Sequence, residues 1–194
     1  WYRKRLIITL EYPPKVGGIA SYVYNMCAHL PAAETVVYAP YQPHDAAFDK
    51  ERNWKVYRSN PLFLFVWPQW LRMLWHVYRI IRKEKIQEMH VHHVLPAGYV
   101  AYLIYKLTKI PYVVFFHGTD VSLATRNNWK IKNTKKICES AKQIIVNSTF
   151  LKEKLLSKID TLKKPITVLY PSPADIFLRD VDLERVRKLK ASLA

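Results

Sequence analysis

The sequence predicts an α/β protein with a doubly wound, mostly parallel sheet and helices on both faces. Short apolar runs of β-branched and aromatic residues alternate with longer amphipathic segments, a pattern that favours parallel strands joined by right-handed crossovers. Half of the residues are hydrophobic and 13 % are aromatic, which argues against disorder and favours a packed core. The four glycines follow predicted strands, at the sheet edge where α/β proteins bind ligands.

The first unit is a strand, a glycine loop and a helix. Residues 5–10 form a run of aliphatic and β-branched side chains, typical of a strand covered on both faces. A double proline ends the run, and Gly17 and Gly18 permit a sharp loop. Apolar residues then recur at spacings of three and four from 19 to 30, which predicts a helix with one buried face. The N–H groups at such a helix start can bind phosphate.

The later elements continue the alternation. Strands are predicted at 35–39, 54–57, 87–94, 112–116, 143–146 and 166–170, helices at 97–106, 129–141 and 151–158, and a loop at 40–53. The prolines after 170 and the charged segment 180–190 are typical of a chain leaving its domain.

The segment 61–86 predicts a helix with an unusually wide apolar face. Its polar stripe is narrow and leads into a basic C-terminal end, where cations are favoured. The stripe consists of Gln69, Arg72, His76, Arg79 and Arg82. Two interpretations stay open at this point: a helix packed on the sheet with extra cover, and a helix that lies on a membrane interface.

The chain is strongly basic. It has 31 Lys and Arg residues against 15 Asp and Glu residues, a formal net charge of +16, which predicts a polyanionic partner: nucleic acid, anionic lipid or a phosphorylated substrate. Two basic clusters lie at 126–136 and 152–164. They fit solvated helix faces or an anionic membrane better than nucleic acid, because no nucleic-acid-binding motif accompanies them.

Membrane insertion and disulfide bonds are not expected. No stretch reaches the roughly 18 consecutive apolar residues that a spanning helix needs, and no signal peptide is visible at the start of the sequence. Cys27 and Cys138 fall inside predicted helices without disulfide or metal spacing. We expect two core thiols in a reducing compartment.

A second candidate site follows the predicted strand at 112–116. His117, Gly118 and Asp120 stand at its exit, on the edge that also carries the first glycine loop. An imidazole there can hydrogen-bond a sugar hydroxyl or a phosphate and titrates near neutrality, although a purely structural histidine is the alternative. There is no G-x-G-x-x-G motif, which argues against a nicotinamide-dependent enzyme.

Three histidines mark the strand at 87–94. His90 and His92 would share one face while His93 points to the other, and there is no adjacent cysteine or acidic third ligand. No metal site is therefore predicted.

The motifs together resemble the first domain of a GT-B fold glycosyltransferase of the family-4 type. The resemblance rests on the opening strand with its Pro-rich Gly-Gly loop, and on HVHHVLPAG at 90–98, HGTD at 117–120, AKQIIVNSTFLKEKL at 141–155 and ITVLYPSPADIF at 166–177. It covers nearly the whole chain. The last segment departs from the commoner Asn-Gly-Val form, with Ser172, Pro173 and Ala174 there instead.

The resemblance implies a Rossmann-like domain that is one half of a GT-B fold. Residues 1–178 would be the N-terminal, acceptor-side domain and 179–194 the start of an interdomain linker or a terminal helix. A C-terminal domain absent from this chain would supply most nucleotide-sugar contacts. The implied enzyme is retaining and metal-independent and needs no cofactor besides its nucleotide-sugar co-substrate. The acceptor would be a glycan or a lipid-linked molecule, and the isolated domain would have little activity.

The resemblance also implies roles for individual residues. The donor phosphates would meet Gly17, Gly18 and Gly118, the catalytic loop would contain His117 and Asp120, and the acceptor would contact His92 and His93. We expect a cytoplasmic protein with a candidate position at the inner face of the membrane. From the residues alone, a non-catalytic α/β domain that binds anionic membrane or nucleic acid stays open as an alternative.

Overall fold

A computed structural model describes residues 3–62, 67–171 and 184. Seven parallel strands form one sheet in the order β3-β2-β1-β4-β5-β6-β7. The strands are β1 (Arg5–Ile8), β2 (Thr35–Ala39), β3 (Lys55–Arg58), β4 (Glu88–Val91), β5 (Tyr112–Phe116), β6 (Gln143–Val146) and β7 (Ile166–Val168). The predicted doubly wound parallel sheet is confirmed. The Ser-Pro-Ala turn at 172–174, the linker segment 179–194 apart from residue 184, and residues 63–66 of the wide apolar segment lie outside the described residues.

Helices cover both faces of the sheet. They are α1 (Gly18–Ala28), α2 (Asp45–Lys50), α3 (Leu71–Glu84), α4 (Tyr99–Thr108), α5 (Thr119–Ala124), α6 (Asn128–Ser140) and α7 (Thr149–Lys158), with short helical turns at Ala32–Glu34 and Val94–Gly98. On one face Val23 and Cys27 of α1 pack with Ile7. The larger core, with α3, α4 and α6, covers the opposite side of β1. Both cysteines are buried free thiols, as predicted.

The predicted loop at 40–53 is wrong in part, because α2 lies within it. Long-range contacts hold this short helix. Phe48 meets the ring of Tyr12 edge-on at 6.3 Å, and the guanidinium of Arg58 donates two hydrogen bonds to Asp49, at 2.8 and 2.9 Å. A helix of six residues is too short to show a 3.6-residue period.

Only part of the wide apolar face is buried in α3. Met73, Val77 and Ile80 pack in the core, whereas Trp75 is 53 % exposed and Tyr78 is 41 % exposed. The helix therefore has a buried side against the sheet and an aromatic side towards solvent. Among the described residues, no helix is long and apolar enough to cross a bilayer.

The strands that carry the site end earlier than predicted. β1 ends at Ile8 rather than at 10, and β4 ends at Val91 rather than at 94, so His92 and His93 lie in the loop beyond the strand. The sheet order places β1 beside β4, while the chain runs from β1 to β2 on its other side. This reversal of strand order opens a crevice at the carboxyl edge, the usual ligand position in such sheets.

Candidate active site at the carboxyl edge of the sheet

The first part of the site is the start of α1. Gly17 precedes the helix with an extended backbone, and no side chain of the described residues caps the helix start. The N–H groups of the first turn therefore stay open at the positive end of the helix dipole. A Cβ at Gly17 would lie 3.2 Å from Oε2 of Glu11, so a side chain at this position would require the Glu11 carboxylate to move. Lys15 lies 3.6 Å from the same carboxylate oxygen and partly offsets its charge.

The second part is the loop between β5 and α5. Oδ1 of Asp120 accepts hydrogen bonds from the backbone N–H groups of His117, Gly118 and Val121, at 3.1, 2.9 and 2.9 Å. Burial raises the pKa of the Asp120 carboxyl, and these N–H groups act in the opposite direction. Gly118 has a φ of 131°, a conformation that side chains with a Cβ rarely adopt. The loop is therefore shaped by one glycine and one carboxylate.

Two residues after β6 complete this side of the site. Asn147 donates from Nδ2 to the carbonyl oxygen of His117 at 3.1 Å, and the hydroxyl of Ser148 accepts the N–H of Leu151 at the start of α7. Together with Gly118 they line an open cavity of about 390 Å³. Sequence reasoning did not assign Asn147 and Ser148 to the site. The available signal was two polar residues directly after a short apolar strand, the same signal that identified His117.

A histidine pair lies behind this loop. Nδ1 of His92 is 3.0 Å from Nε2 of His117, and His92 is completely buried. Its ring stacks on Phe115 at 4.4 Å. Tyr22 of α1 meets the ring of His117 edge-on at 5.1 Å, so this aromatic contact joins the start of α1 to the β5–α5 loop.

His93 connects the ends of β1 and β4. Its Nδ1 accepts the backbone N–H of Leu10 at 3.2 Å. Beside it lies a small cavity of about 120 Å³ that Glu11 and Asp120 also line. Acceptor contact by His92 and His93 stays a prediction. The full burial of His92 means that it would act on a ligand only through a neighbouring side chain.

The site histidines are neutral at neutral pH. Burial lowers the pKa of His117 and of His93 to about 4 in each case, and burial lowers the pKa of His92 well below its usual value. The sequence-based expectation of a ring that titrates near neutrality is therefore wrong for His117, because desolvation disfavours the imidazolium. These rings act as neutral hydrogen-bonding groups.

The described residues contain no group of three or more metal-ligating side chains. His90 is hydrogen-bonded to Glu88 instead, at 3.0 Å between Nε2 and Oε1. Sequence reasoning overlooked this acidic neighbour. Glu88 in turn is held by Lys142 at 2.5 Å, so the carboxylate belongs to an ion-pair network.

The fold and the side chains at the carboxyl edge of the sheet define a class of protein. It is an α/β domain whose groove offers helix N–H groups and neutral hydrogen-bonding side chains, and these groups suit phosphate and sugar oxygens. The sequence model of Glycosyltransferase Family 4 matches residues 16–172. The chain belongs to this family. No curated protein sequence matches the chain.

Solved structures show the same fold. Anabaena HepE in complex with UDP and glucose superposes with a TM-score of 0.69 at 14 % identity, over 99 % of this chain and 50 % of HepE. HepE in complex with UDP-glucose superposes with a TM-score of 0.68 at 13 % identity, over 97 % of this chain and 49 % of HepE. Acinetobacter baumannii MurG superposes with a TM-score of 0.54 at 13 % identity, over 92 % of this chain and 48 % of MurG. The chain thus spans about half the length of these proteins and has the fold of one half of a GT-B glycosyltransferase.

Proposed function

We propose that this chain is the N-terminal, acceptor-side domain of a retaining, metal-independent glycosyltransferase that moves a sugar from a nucleotide-sugar donor to a glycan or lipid-linked acceptor. The observation that carries the proposal is the contact of Tyr22 with His117. It brings the uncapped start of α1 beside the β5–α5 loop. One segment suits an anion and the other suits sugar or phosphate oxygens. The bound UDP, glucose and UDP-glucose of HepE support a nucleotide-sugar donor.

In this proposal the chain stabilises the leaving diphosphate by fixed dipoles. The N–H groups of Gly17 and Gly18 meet the phosphate oxygens when the site closes, and Gly118 lets the diphosphate approach the loop without meeting a side chain. The ring of His117 hydrogen-bonds the transferring sugar. Asp120 keeps the loop in place through the N–H groups that it accepts. Such preorganised donors act on charge that develops as the sugar–phosphate bond breaks, without a metal ion.

We infer that a second domain completes the donor site, since the chain covers half of the structures it resembles. Residues 179–194 would begin the connection to it. The expected result is little or no turnover by the 194-residue chain alone and measurable turnover by the full-length protein that carries it. Appreciable transfer by the isolated chain would contradict this part of the proposal.

The test of the function is sugar transfer by the full-length protein, with UDP-, GDP- and ADP-sugars as donors and a membrane lipid extract as acceptor. The His117→Ala variant, which has no side-chain donor, should lose at least about 10-fold in rate with the active donor. The matched control is His44→Asn. His44 is an exposed histidine in a left-handed turn outside the site, a conformation that asparagine tolerates.

No transfer from any donor, with both variants folded, would favour a non-catalytic binding domain. A second acceptor panel of soluble glycans guards against a missing acceptor. Equal rates for His117→Ala and His44→Asn would remove His117 from the reaction while leaving the family intact.

The same protein is proposed to bind an anionic membrane surface through the basic aromatic face, defined as Trp75, Tyr78, Arg79, Arg82 and Lys83 of α3. Trp75 and Tyr78 are exposed, and the guanidinium of Arg79 lies 4.5 Å from the centre of the Trp75 ring. The adjoining groove has a volume of about 650 Å³, and its described lining contains no carboxylate. Exposed Trp beside cations is typical of helices at the inner, anionic face of a bilayer.

This surface is tested by co-sedimentation with vesicles of neutral lipid, with and without anionic lipid. Each cation contributes about 1 kcal/mol near such a surface, so the Arg79→Gln/Arg82→Gln double variant, which loses two cations, should bind about 30-fold more weakly. The control variant Lys106→Gln/Lys109→Gln makes the same charge change at the exposed end of α4, outside the basic clusters at 126–136 and 152–164. Equal losses for the two double variants would show a general charge effect, and retention of binding by the first would exclude the basic aromatic face. Stronger binding to DNA or RNA than to vesicles would favour a nucleic-acid partner.

A further inference from the structure

His92 is a buried histidine with one unpartnered nitrogen. Its Nδ1 lies against Nε2 of His117 at 3.0 Å, and the two rings are nearly parallel, with an interplanar angle of 18°. The other nitrogen, Nε2, is buried and has no hydrogen-bond partner among the described residues. A face of the ring stacks on Phe115 with an interplanar angle of 15°. Packing on two sides therefore fixes the position of the ring.

The position of the shared proton follows from this geometry. Two neutral imidazoles that share one hydrogen bond need one donor and one acceptor. If His117 donated from Nε2, then His92 would carry its own proton on Nε2, as a buried N–H without an acceptor. Orphaned buried N–H groups are rare in proteins, more so than acceptors that lack a donor. The favoured arrangement has the proton on Nδ1 of His92, from which it is donated to Nε2 of His117.

We propose that His92 is a positioning residue that holds His117 in the tautomer with its proton on Nδ1. Because Nε2 of His117 is then occupied as an acceptor, the ring presents only a neutral N–H donor to a ligand. No hydrogen bond within the described part of the chain uses Nδ1 of His117, and the residue lines the open cavity beside Gly118 and Asn147. Resting on the proposed function, this arrangement gives His117 a fixed donor for a sugar or phosphate oxygen and prevents it from acting as a base there.

The tautomer can be measured without a substrate. In the 194-residue chain with ¹⁵N-labelled histidine, long-range ¹H–¹⁵N spectra near neutral pH distinguish protonated from unprotonated ring nitrogens. The expected result is a protonated Nδ1 and an unprotonated Nε2 for His117. The His92→Phe variant keeps a ring stacked on Phe115 but lacks the donor, so His117 should shift towards the tautomer with its proton on Nε2. In His92→Asn the side-chain amide can replace the Nδ1–H donor and should preserve the wild-type tautomer.

Two results would overturn the proposal: a proton on Nε2 of His117 in the wild-type chain, or an unchanged tautomer in a folded His92→Phe variant. Should His92→Phe fail to fold, the wild-type spectrum still tests the proposal, because a proton on Nε2 of His117 overturns it. A role limited to packing would not change the tautomer.

The transfer assay of the full-length protein then separates this proposal from the proposed function. His92→Phe should lower kcat by at least about 10-fold with a smaller change in KM, and His92→Asn should recover most of that loss. The predicted tautomer with no transfer from any donor would refute the proposed function and leave the histidine pair established. Wild-type transfer that His92→Phe does not alter would refute the positioning role alone.

Discussion

Asp120 accepts the backbone N–H of His117 on both carboxylate oxygens, at 3.1 and 3.2 Å. The carbonyl oxygen of His117 accepts a hydrogen bond from Asn147. Both polar groups of the His117 backbone are thus held by side chains, one from α5 and one from the end of β6. The imidazole is therefore carried by a segment whose position depends on these two side chains.

Replacing the carboxylate tests this dependence. Asp120→Ala leaves three buried or partly buried N–H groups without their acceptor, and should lower the free energy of unfolding by about 2 kcal/mol. Asp120→Asn keeps one oxygen and should cost less. Urea denaturation measures both effects. Asn127→Ala, which removes the cap of α6, is the control: it should lower stability without changing sugar transfer, whereas Asp120→Ala should lower both.

The two glycine positions respond differently to alanine. Nothing lies within 4 Å of a Cβ built on Gly118 or on Gly18, but Gly118 has a positive φ. Gly118→Ala should therefore destabilise the chain by about 1–2 kcal/mol through backbone strain alone. Gly18→Ala lies in helical backbone and should be neutral or stabilising by up to about 1 kcal/mol.

The same pair tests phosphate binding. If the N–H group of Gly18 faces the donor diphosphate, the Cβ added by Gly18→Ala stands where the phosphate approaches. The variant then raises KM for the donor in the full-length protein while the unfolding free energy is kept or increased. An unchanged KM would place the diphosphate away from the start of α1. The melting temperature and the KM for the donor are measured for each variant, so that an effect on stability is separated from an effect on binding.

The neutral histidines predict a loss of stability in acid. His93 and His117 have a pKa of about 4 in the folded chain because of burial, against an ordinary value of 6.5. Between about pH 4 and pH 6.5 the unfolded chain therefore binds more protons than the folded chain. The contribution of the two neutral rings to the free energy of unfolding is complete above about pH 6.5 and is lost as the pH falls through about 4. We expect each ring to contribute about 2 kcal/mol to the free energy of unfolding, after allowance for its partial exposure. Denaturation midpoints should fall over this range, and less steeply in the His93→Asn/His117→Asn variant than in His44→Asn.

The alternation of strands and helices and the position of the glycine loop were predictable, because hydrophobic period and chain-breaking residues are local signals. Contacts across the sheet were not. Register sets Val91 beside Val114, so His92 comes to lie against Phe115, with His117 two residues further along the same face. Sequence reasoning placed both histidines at the carboxyl edge but could not pair them. Their low pKa values follow from the burial that this pairing produces.

The last prediction concerns the opposite end of the sheet, where Glu84 joins α3 to β3. The carboxylate accepts hydrogen bonds from Lys4 at 2.7 Å, Tyr57 at 2.6 Å and Lys55 at 3.1 Å. Burial alone would raise the pKa of Glu84, but these partners together lower it to about 2, against an ordinary value of 4.5. The contribution of the Glu84 carboxylate to the free energy of unfolding is therefore complete above about pH 4.5 and is lost as the pH falls through about 2.

Glu84→Gln should lower the free energy of unfolding by at most about 3 kcal/mol at neutral pH, and the difference from wild type should shrink as the pH falls from 4.5 to 2. The control is Glu51→Gln, because Glu51 lies on the surface with 73 % of its side chain exposed and should differ little from wild type at any pH. The window lies below that of the histidines, so the two effects separate in one pH series. A Glu84→Gln deficit that stays constant down to pH 2 would mean that the side chain stabilises α3 by packing rather than by its charge.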